Sequence, residues 1–258
     1  MFFPISDDDR HLMSPAWVSI GLLVANVIMF VVQLMDPAFT YGWSVIPYEI
    51  THGTDLTQPV RLIIPGHGSE IIPQMPGPVP IYLTIFSAMF MHGGWAHIGG
   101  NMLYLWIFGD NVEHRFGPLK FLAFYLVSGI VATFAQIATG MESVIPNLGA
   151  SGAIAGVLGA YLVLFPRNMV NAIFFFRIVS LPAVFVIGMW AVTQFVSGYG
   201  AIAMTEQTSG GVAYAAHIGG FIAGVVMGLV SRLSMKNHEP PSVFRKIYEE
   251  QPRARRYW

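Results

Sequence analysis

The sequence predicts an all-α membrane protein that crosses the bilayer six times. Of its 258 residues, 54% are hydrophobic and only 10% are charged, whereas a soluble domain carries about 25% charged residues. Six apolar segments approach the roughly 20 residues that a helix needs to cross a bilayer. In addition, Lys and Arg fall almost entirely on one side of the predicted spans.

Each predicted span is an apolar run bounded by charged residues, glycine or proline. The second apolar segment, 82–108, is interrupted by His92-Gly93-Gly94-Trp95, so its spanning part is expected to start near Trp95. The third begins with Pro118, at a first-turn position where the missing N–H of proline costs nothing. The six predicted spans are residues 16–34, 95–108, 118–139, 151–165, 178–196 and 212–230.

One membrane domain, residues 16–232, is predicted between an N-terminal segment, 1–15, and a polar tail, 233–258. Its first external loop, 36–80, contains eight prolines. We expect this loop to lack regular structure and to lie partly in the membrane interface, because it also carries short apolar stretches.

The basic residues predict the orientation of the chain. Six spans place both termini on one side, and that side then holds 12 of the 13 Lys and Arg residues, with Arg61 alone opposite. Basic residues accumulate on the cytoplasmic side. Both termini are therefore expected in the cytoplasm, with the chain in a cell (inner or plasma) membrane. The N-terminus lacks the basic stretch of a secretory signal, so the first span is expected to be retained.

Ser151 and His217 are predicted to lie at the same depth in the membrane. Ser151 is 14 residues from Phe165, which is about 21 Å along a helix. His217 is 15 residues from Arg232, or about 22 Å. A serine becomes a nucleophile only beside a base. A shared depth allows the two side chains to meet if their helices pack closely.

Small residues would let the fourth and sixth spans pack closely. They are Gly149, Gly152 and Gly156 around the serine, and Ala216, Gly220, Gly224 and Gly228 at intervals of four beside the histidine. Such faces allow close approach of two helix backbones. A small-residue run alone favours plain helix packing over catalysis, and the shared depth of Ser151 and His217 shifts the interpretation toward catalysis.

His97 and Asn101 are four residues apart and share one face of the second span. If that helix runs to Arg115, Asn101 lies about 21 Å above the inner boundary, level with Ser151. If it stops at Asp110, the height is about 14 Å and the agreement fails. In the first case Asn101 would bring an amide donor beside the serine, as an oxyanion hole requires.

A metal site is the alternative that the histidines of the spans suggest. The histidines at 92, 97 and 217 could in principle bind zinc, but there is no His-Glu-x-x-His motif and no well-placed carboxylate within the spans. The chain has no cysteine, which excludes thiolate ligands, disulfides and a cysteine nucleophile. No metal or other cofactor is therefore expected, and the net charge of −1 does not indicate a nucleic-acid partner. The remaining polar residues of the spans are expected to make helix-to-helix hydrogen bonds or lie at the interface: Asn26, Gln33, Gln136 and Gln194.

Three motifs, in this order, resemble those of the rhomboid intramembrane serine proteases. They are His92-x4-His97-x3-Asn101 on the second span, Gly149-Ala150-Ser151-Gly152 on the fourth, and Ala216-His217-x-x-Gly220-x-x-x-Gly224 on the sixth. The resemblance covers nearly all of residues 15–232. Glu113-His114-Arg115 is similar to the family's Glu-x-Arg at the inner end of the second span and favours the longer helix.

The resemblance implies six helices around a water-filled cavity, transmembrane proteins as substrates, and the fifth span as their entry gate. It implies Ser151 as nucleophile and His217 as general base, without a carboxylate third member. The backbone N–H of Ser151, together with His97 and Asn101, would stabilise the oxyanion. His92 would help to order the first loop.

Two positions depart from the family pattern. Many members carry Trp-Arg where this chain has Leu83-Thr84, so the anchoring of its first loop is expected to differ. Many also carry an aromatic ring four residues after the nucleophile, stacked on the catalytic histidine. This chain has Ala155 there, so His217 must be oriented in some other way.

The sequence leaves two other classes of function open. A non-proteolytic rhomboid-like factor that binds membrane proteins or acts in quality control would typically lack the serine or the histidine, and this chain has both. A transporter would be expected to show an ionisable pathway or paired broken helices. The sequence has neither pattern.

Overall fold

The structure is a computed structural model that describes residues 3–8, 12, 14–64, 68–203 and 213–234. Helices make up most of this described part. They are α1 (Trp17–Met35), α2 (Pro37–Trp43), α3 (Pro47–His52), α4 (Thr84–Ser87), α5 (Trp95–Phe116), α6 (Pro118–Ala138), α7 (Ser151–Leu164), α8 (Ala183–Ala203) and α9 (Tyr214–Ser234). The predicted tail 233–258 lies outside the described residues beyond Ser234.

The all-α prediction missed two small antiparallel sheets. The first joins β1 (Phe3–Ser6), β4 (Met169–Phe174) and β5 (Arg177–Pro182), so the N-terminal segment pairs with the connection between α7 and α8. The second is the hairpin of β2 (Val60–Ile64) and β3 (Gly68–Ile72). The first loop, 36–80, therefore has regular structure, contrary to prediction: it holds this hairpin and helices α2 and α3.

The fifth predicted span began too early. Residues 178–182 belong to β5, and α8 starts only at Ala183. A short apolar run is ambiguous between strand and helix. The two-residue turn that closes the β4–β5 hairpin consists of Phe175 and Phe176, both at positive φ (44° and 66°). Such turns usually contain Asn-Gly, so the usual hairpin signal is absent from the sequence.

Three helices of the described part, α1, α6 and α9, are long and apolar enough to cross a membrane. Helix α7 and the Ala183–Tyr199 part of α8 are apolar but shorter. Helix α5 has 22 residues and carries Asp110, Glu113 and Arg115 near its C-terminal end. The chain is thus a multi-pass membrane protein by composition and helix length, and the count of six spans stays a prediction.

Helix α5 extends to Phe116, the longer of the two alternatives, and its last turns hold α1 in place. The buried carboxylate of Glu113 accepts hydrogen bonds from the backbone N–H groups of Val18 (3.0 Å) and Ser19 (2.7 Å). These groups lie in the first turn of α1, where helix N–H groups have no partner within the helix. Glu113 therefore caps α1 from a neighbouring helix.

Helix α7 is the central helix of the bundle, and ten of its 14 residues are buried. It meets α9 with almost no side chains between them. A Cβ on Gly220 would overlap the carbonyl oxygen of Gly152, and one on Gly224 would overlap that of Gly156. The predicted small-residue faces thus lie against each other, and glycine is required because the two backbones themselves are in contact.

Replacing Gly224 with alanine should destabilise the protein, because the added methyl group pushes α9 away from α7. Overpacking of this kind costs about 1–3 kcal/mol. The matched control is Gly188→Ala in α8, where a Cβ would meet nothing within 4 Å and where alanine is the better helix former. We expect the thermal unfolding midpoint in detergent to fall for Gly224→Ala and not for Gly188→Ala. Equal midpoints for the two variants would contradict the close backbone contact.

A buried glutamate lies in the first loop. The side chain of Glu49 in α3 is only 2% exposed, and its carboxylate accepts a hydrogen bond from the N–H of Leu56 (2.7 Å). Burial raises the pKa of Glu49 from 4.5 to about 7, with the charge of Asp55 adding to the rise and the Leu56 N–H opposing it. The folded loop therefore binds a proton more tightly than the unfolded chain.

The pH dependence of the first loop follows from this raised pKa. Its contribution to stability is complete below pH 4.5 and is lost as the pH rises from about 4.5 to about 7. Amide hydrogen exchange of residues 47–56 should therefore accelerate over this range, beyond the intrinsic pH effect. This extra acceleration should disappear in Glu49→Gln and persist in Glu70→Gln, at an exposed position of β3. If exchange in Glu49→Gln depended on pH as it does in the wild type, the proposed role of Glu49 in this pH dependence would be wrong.

Candidate active site

The structure brings Ser151 and His217 together. Ser151 is the first residue of α7, and His217 lies in the first turn of α9. Ser151 Oγ is 2.8 Å from His217 Nε2, which is hydrogen-bonding distance. The glycine contact between α7 and α9 begins directly beside this pair, so helix packing sets the distance between the two side chains.

His97 and Asn101 lie one turn apart on α5, and each carries a side-chain nitrogen that can donate a hydrogen bond. His97 Nδ1 accepts a hydrogen bond from the N–H of Gly93 (3.2 Å), so the proton of the neutral ring is on Nε2. The side-chain nitrogen of Asn101 is buried and has no hydrogen-bond partner among the described residues. This amide is therefore available to donate to another acceptor.

Gly149 leaves open the space between His97 and Ser151. Its φ is +140°, and its N–H is held by the carbonyl oxygen of Ala88 (2.8 Å). A Cβ at this position would lie 3.1 Å from His97 Nε2 and 3.4 Å from Ser151 Oγ. A side chain here would therefore enter the space that faces both the serine hydroxyl and the His97 donor.

The other residues singled out in the sequence support the pair through packing and backbone contacts. Gly152, Gly220 and Gly224 form the helix contact described above. His92 is anchored through its backbone, because its N–H donates to Gln33 Oε1 (2.8 Å) and its carbonyl accepts from Gln33 Nε2 (3.2 Å). Its ring packs edge-on against that of His97, with centroids 5.2 Å apart.

Gln194 of α8 is the residue that sequence reasoning missed. The sequence predicts a helix-to-helix hydrogen bond or an interfacial position for it, and the structure shows such a bond to the site histidine, with Oε1 2.7 Å from His217 Nδ1. Trp190, one turn earlier, places its ring 6.0 Å from that of His217. Ala155, where the family pattern has an aromatic ring, is fully buried. The sequence signal that could have identified Gln194 is the missing ring at Ala155, combined with a polar residue in the fifth predicted span.

A cavity opens beside Ser151 between α6, α7 and the first loop. Most of its walls are small or apolar side chains, and Gln136 adds a polar group whose Oε1 accepts a hydrogen bond from the N–H of Ala216 (3.2 Å). Lining residues include Val45, Ala88, Met89, Ala132, Leu148, Ala153 and Ala216. Within the described residues no group of three His, Asp or Glu side chains is arranged to hold a metal ion.

The helical bundle, with a serine–histidine pair enclosed among apolar helices, defines a multi-pass membrane protein with a polar site inside its core. A Rhomboid domain matches residues 81–234, more than half of the chain, so the protein belongs to the rhomboid family. The match contains all of α5 to α9 and every site residue named above except Gln33 and Val45.

Several rhomboid relatives are similar over the same region. Rhomboid protein 1, mitochondrial, of Saccharomyces cerevisiae is 31% identical over 150 residues, 57% of this chain and 41% of that protein. The rhomboid protease GluP of Bacillus subtilis is 34% identical over 147 residues, 56% of this chain and 26% of that protein. The presenilin-associated rhomboid-like protein, mitochondrial, of Bos taurus is 31% identical over 173 residues, which is 62% of this chain and 40% of that protein. The matches span less than half of each relative.

Proposed function

We propose that the protein is an intramembrane serine endopeptidase with Ser151 as nucleophile and His217 as general base. The observation that carries the proposal is the 2.8 Å contact between Ser151 Oγ and His217 Nε2. A hydrophobic helix bundle has no structural need for such a pair, because polar groups within spans are costly and are typically functional. One of the similar relatives is named as a protease, which supports the same reaction class.

In the first half of the reaction, Ser151 Oγ attacks the carbonyl carbon of the scissile peptide bond. His217 Nε2 takes the hydroxyl proton as the new C–O bond forms, and the carbonyl oxygen becomes an oxyanion. The imidazolium then gives its proton to the leaving nitrogen, the C–N bond breaks, and an acyl-serine remains. In the second half, His217 deprotonates a water that attacks the ester, which releases a carboxylic acid and restores Ser151.

The oxyanion would be held by donors from two helices. The N-terminal N–H groups of α7 point out of the helix and carry the positive end of its dipole. Asn101 supplies its unpaired amide nitrogen, and His97 supplies Nε2–H across the open space at Gly149. Fixed donors at this point stabilise the transition state more than the ground state.

Substrates are proposed to be transmembrane segments of other membrane proteins, reached within the bilayer. A segment must unwind locally to expose its carbonyl carbon, so small or helix-breaking residues are expected near the cleavage point. The alanine-rich wall of the cavity beside Ser151 fits a small side chain. The proposed topology has six spans, with both termini in the cytoplasm and the chain in a cell membrane. Two of the similar relatives are mitochondrial by name, so the plasma membrane does not follow from them.

Replacing either member of the pair should abolish cleavage. We expect Ser151→Ala and His217→Ala to reduce cleavage of a single-span reporter in proteoliposomes by at least about 10⁴-fold, as for other serine hydrolases. Ser180→Ala, at an exposed position of β5, is the matched control and should cleave normally. Undiminished cleavage by Ser151→Ala would exclude Ser151 as the nucleophile, and reporter binding without cleavage by wild type would favour the non-proteolytic binding factor.

Loss of the Asn101 donor should reduce turnover rather than binding. Removing one oxyanion donor typically costs 10²–10³ in rate, so Asn101→Ala should lower kcat by about that factor and leave KM within about threefold. Asn168→Ala, on the connection that follows α7 and away from the pair, serves as control. A change confined to KM would place Asn101 in substrate binding instead.

A further inference from the structure

We propose that Gln194 of α8 is a positioning residue that fixes the orientation and tautomer of His217, so that the site works as a three-residue unit. The inference rests on the proposed function, because it assigns a role within the same reaction. It is carried by the geometry of α8 and not by the family pattern, which implies a dyad with no third member.

A continuous series of hydrogen bonds leads from the backbone of α8 to the serine. Thr193 Oγ1 donates to the carbonyl oxygen of Trp190 (2.6 Å). Gln194 Nε2 donates to Thr193 Oγ1 (3.3 Å). Gln194 Oε1 lies 2.7 Å from His217 Nδ1, and His217 Nε2 lies 2.8 Å from Ser151 Oγ.

The direction of each bond in this series is determined by the first. The Thr193 hydroxyl has one proton, and it points at a carbonyl that can only accept, so Thr193 Oγ1 is an acceptor for Gln194. The amide must then turn its nitrogen to Thr193 and its oxygen to His217. An oxygen at that position requires the proton of the neutral imidazole to be on Nδ1. His217 Nε2 is thereby left with a free lone pair, which is the state that a general base needs.

The opposite orientation of the amide would disable the base. A nitrogen facing His217 would favour the tautomer with its proton on Nε2, which cannot accept the serine proton. In the Ser-His-Asp enzymes a substitution that imposes the wrong tautomer reduces kcat by about 10⁴. Here a neutral amide performs the task that a carboxylate performs there.

Trp190 and Gln194 also replace the missing aromatic ring. They hold His217 from α8, with the Trp190 ring at 6.0 Å and the amide at Nδ1. Gln194 is only 9% exposed, so water has little access to compete for Nδ1. The opposite face of α8 carries exposed apolar side chains, including Met189 and Val192, which suits contact with lipid.

The first test compares two replacements of Gln194. Gln194→Met keeps the length of the side chain but removes the acceptor, and we expect kcat on a single-span reporter to fall at least about tenfold with KM unchanged. Gln194→Glu keeps an acceptor at Nδ1 and should restore kcat to within about threefold of wild type. Val192→Ala, on the exposed face of the same helix, is the control for general damage to α8.

The second test uses Thr193, which touches His217 only through Gln194 in the proposed series. Thr193→Val should lower kcat about threefold or more in the wild type, because the amide loses the group that orients it. The same substitution should have no effect in the Gln194→Glu background, since a carboxylate has two oxygens and needs no orientation. A merely structural role of Thr193 would lower kcat equally in both backgrounds.

The outcomes separate this inference from the proposed function. If Ser151→Ala is inactive while Gln194→Met keeps the wild-type kcat, the positioning role is wrong and the protease assignment stands. An equal effect of Thr193→Val in both backgrounds would also overturn the series. If Ser151→Ala remains active, the proposed assignment of Ser151 as the nucleophile is wrong.

Discussion

The direct contact between the backbones of α7 and α9 is the interaction on which the rest of the site depends. Gly152 and Gly156 face Gly220 and Gly224 with no space for a methyl group. In a bilayer the hydrophobic effect does not drive helices together, so close packing and hydrogen bonds must hold them. The same contact sets the separation of the two helix ends, and therefore the distance between Ser151 and His217.

Several polar groups of the bundle stabilise junctions between elements. Glu113 caps α1 from α5, Gln33 clamps the backbone at His92, and Gln136 binds the N-terminal turn of α9. Each bond joins elements that are distant in the sequence. Within an apolar bundle, an unpaired polar group is costly, so these bonds favour one arrangement of the helices over others that would bury the same apolar area.

Much of this architecture could be predicted because the spans are long apolar runs bounded by charged residues, glycine or proline. The ends of α1, α6 and α7 lie within one or two residues of prediction. The errors fall where short apolar runs carry no clear period, as in β5, and where pairing depends on distant partners, as between β1 and β4. Depth along a helix was sufficient to pair Ser151 with His217. Depth along a helix does not give the rotation of α8 about its own axis. That rotation directs Gln194 toward His217.

The origin of the site residues in three different helices has a consequence for how the site is assembled. Ser151 comes from α7, His217 from α9 and Gln194 from α8, and among the described residues the amide of Gln194 is the polar link between α8 and the pair. The reactive state proposed above therefore requires all three helices to be packed together. In that proposal, displacement of α8 removes the group that specifies which nitrogen of His217 carries the proton.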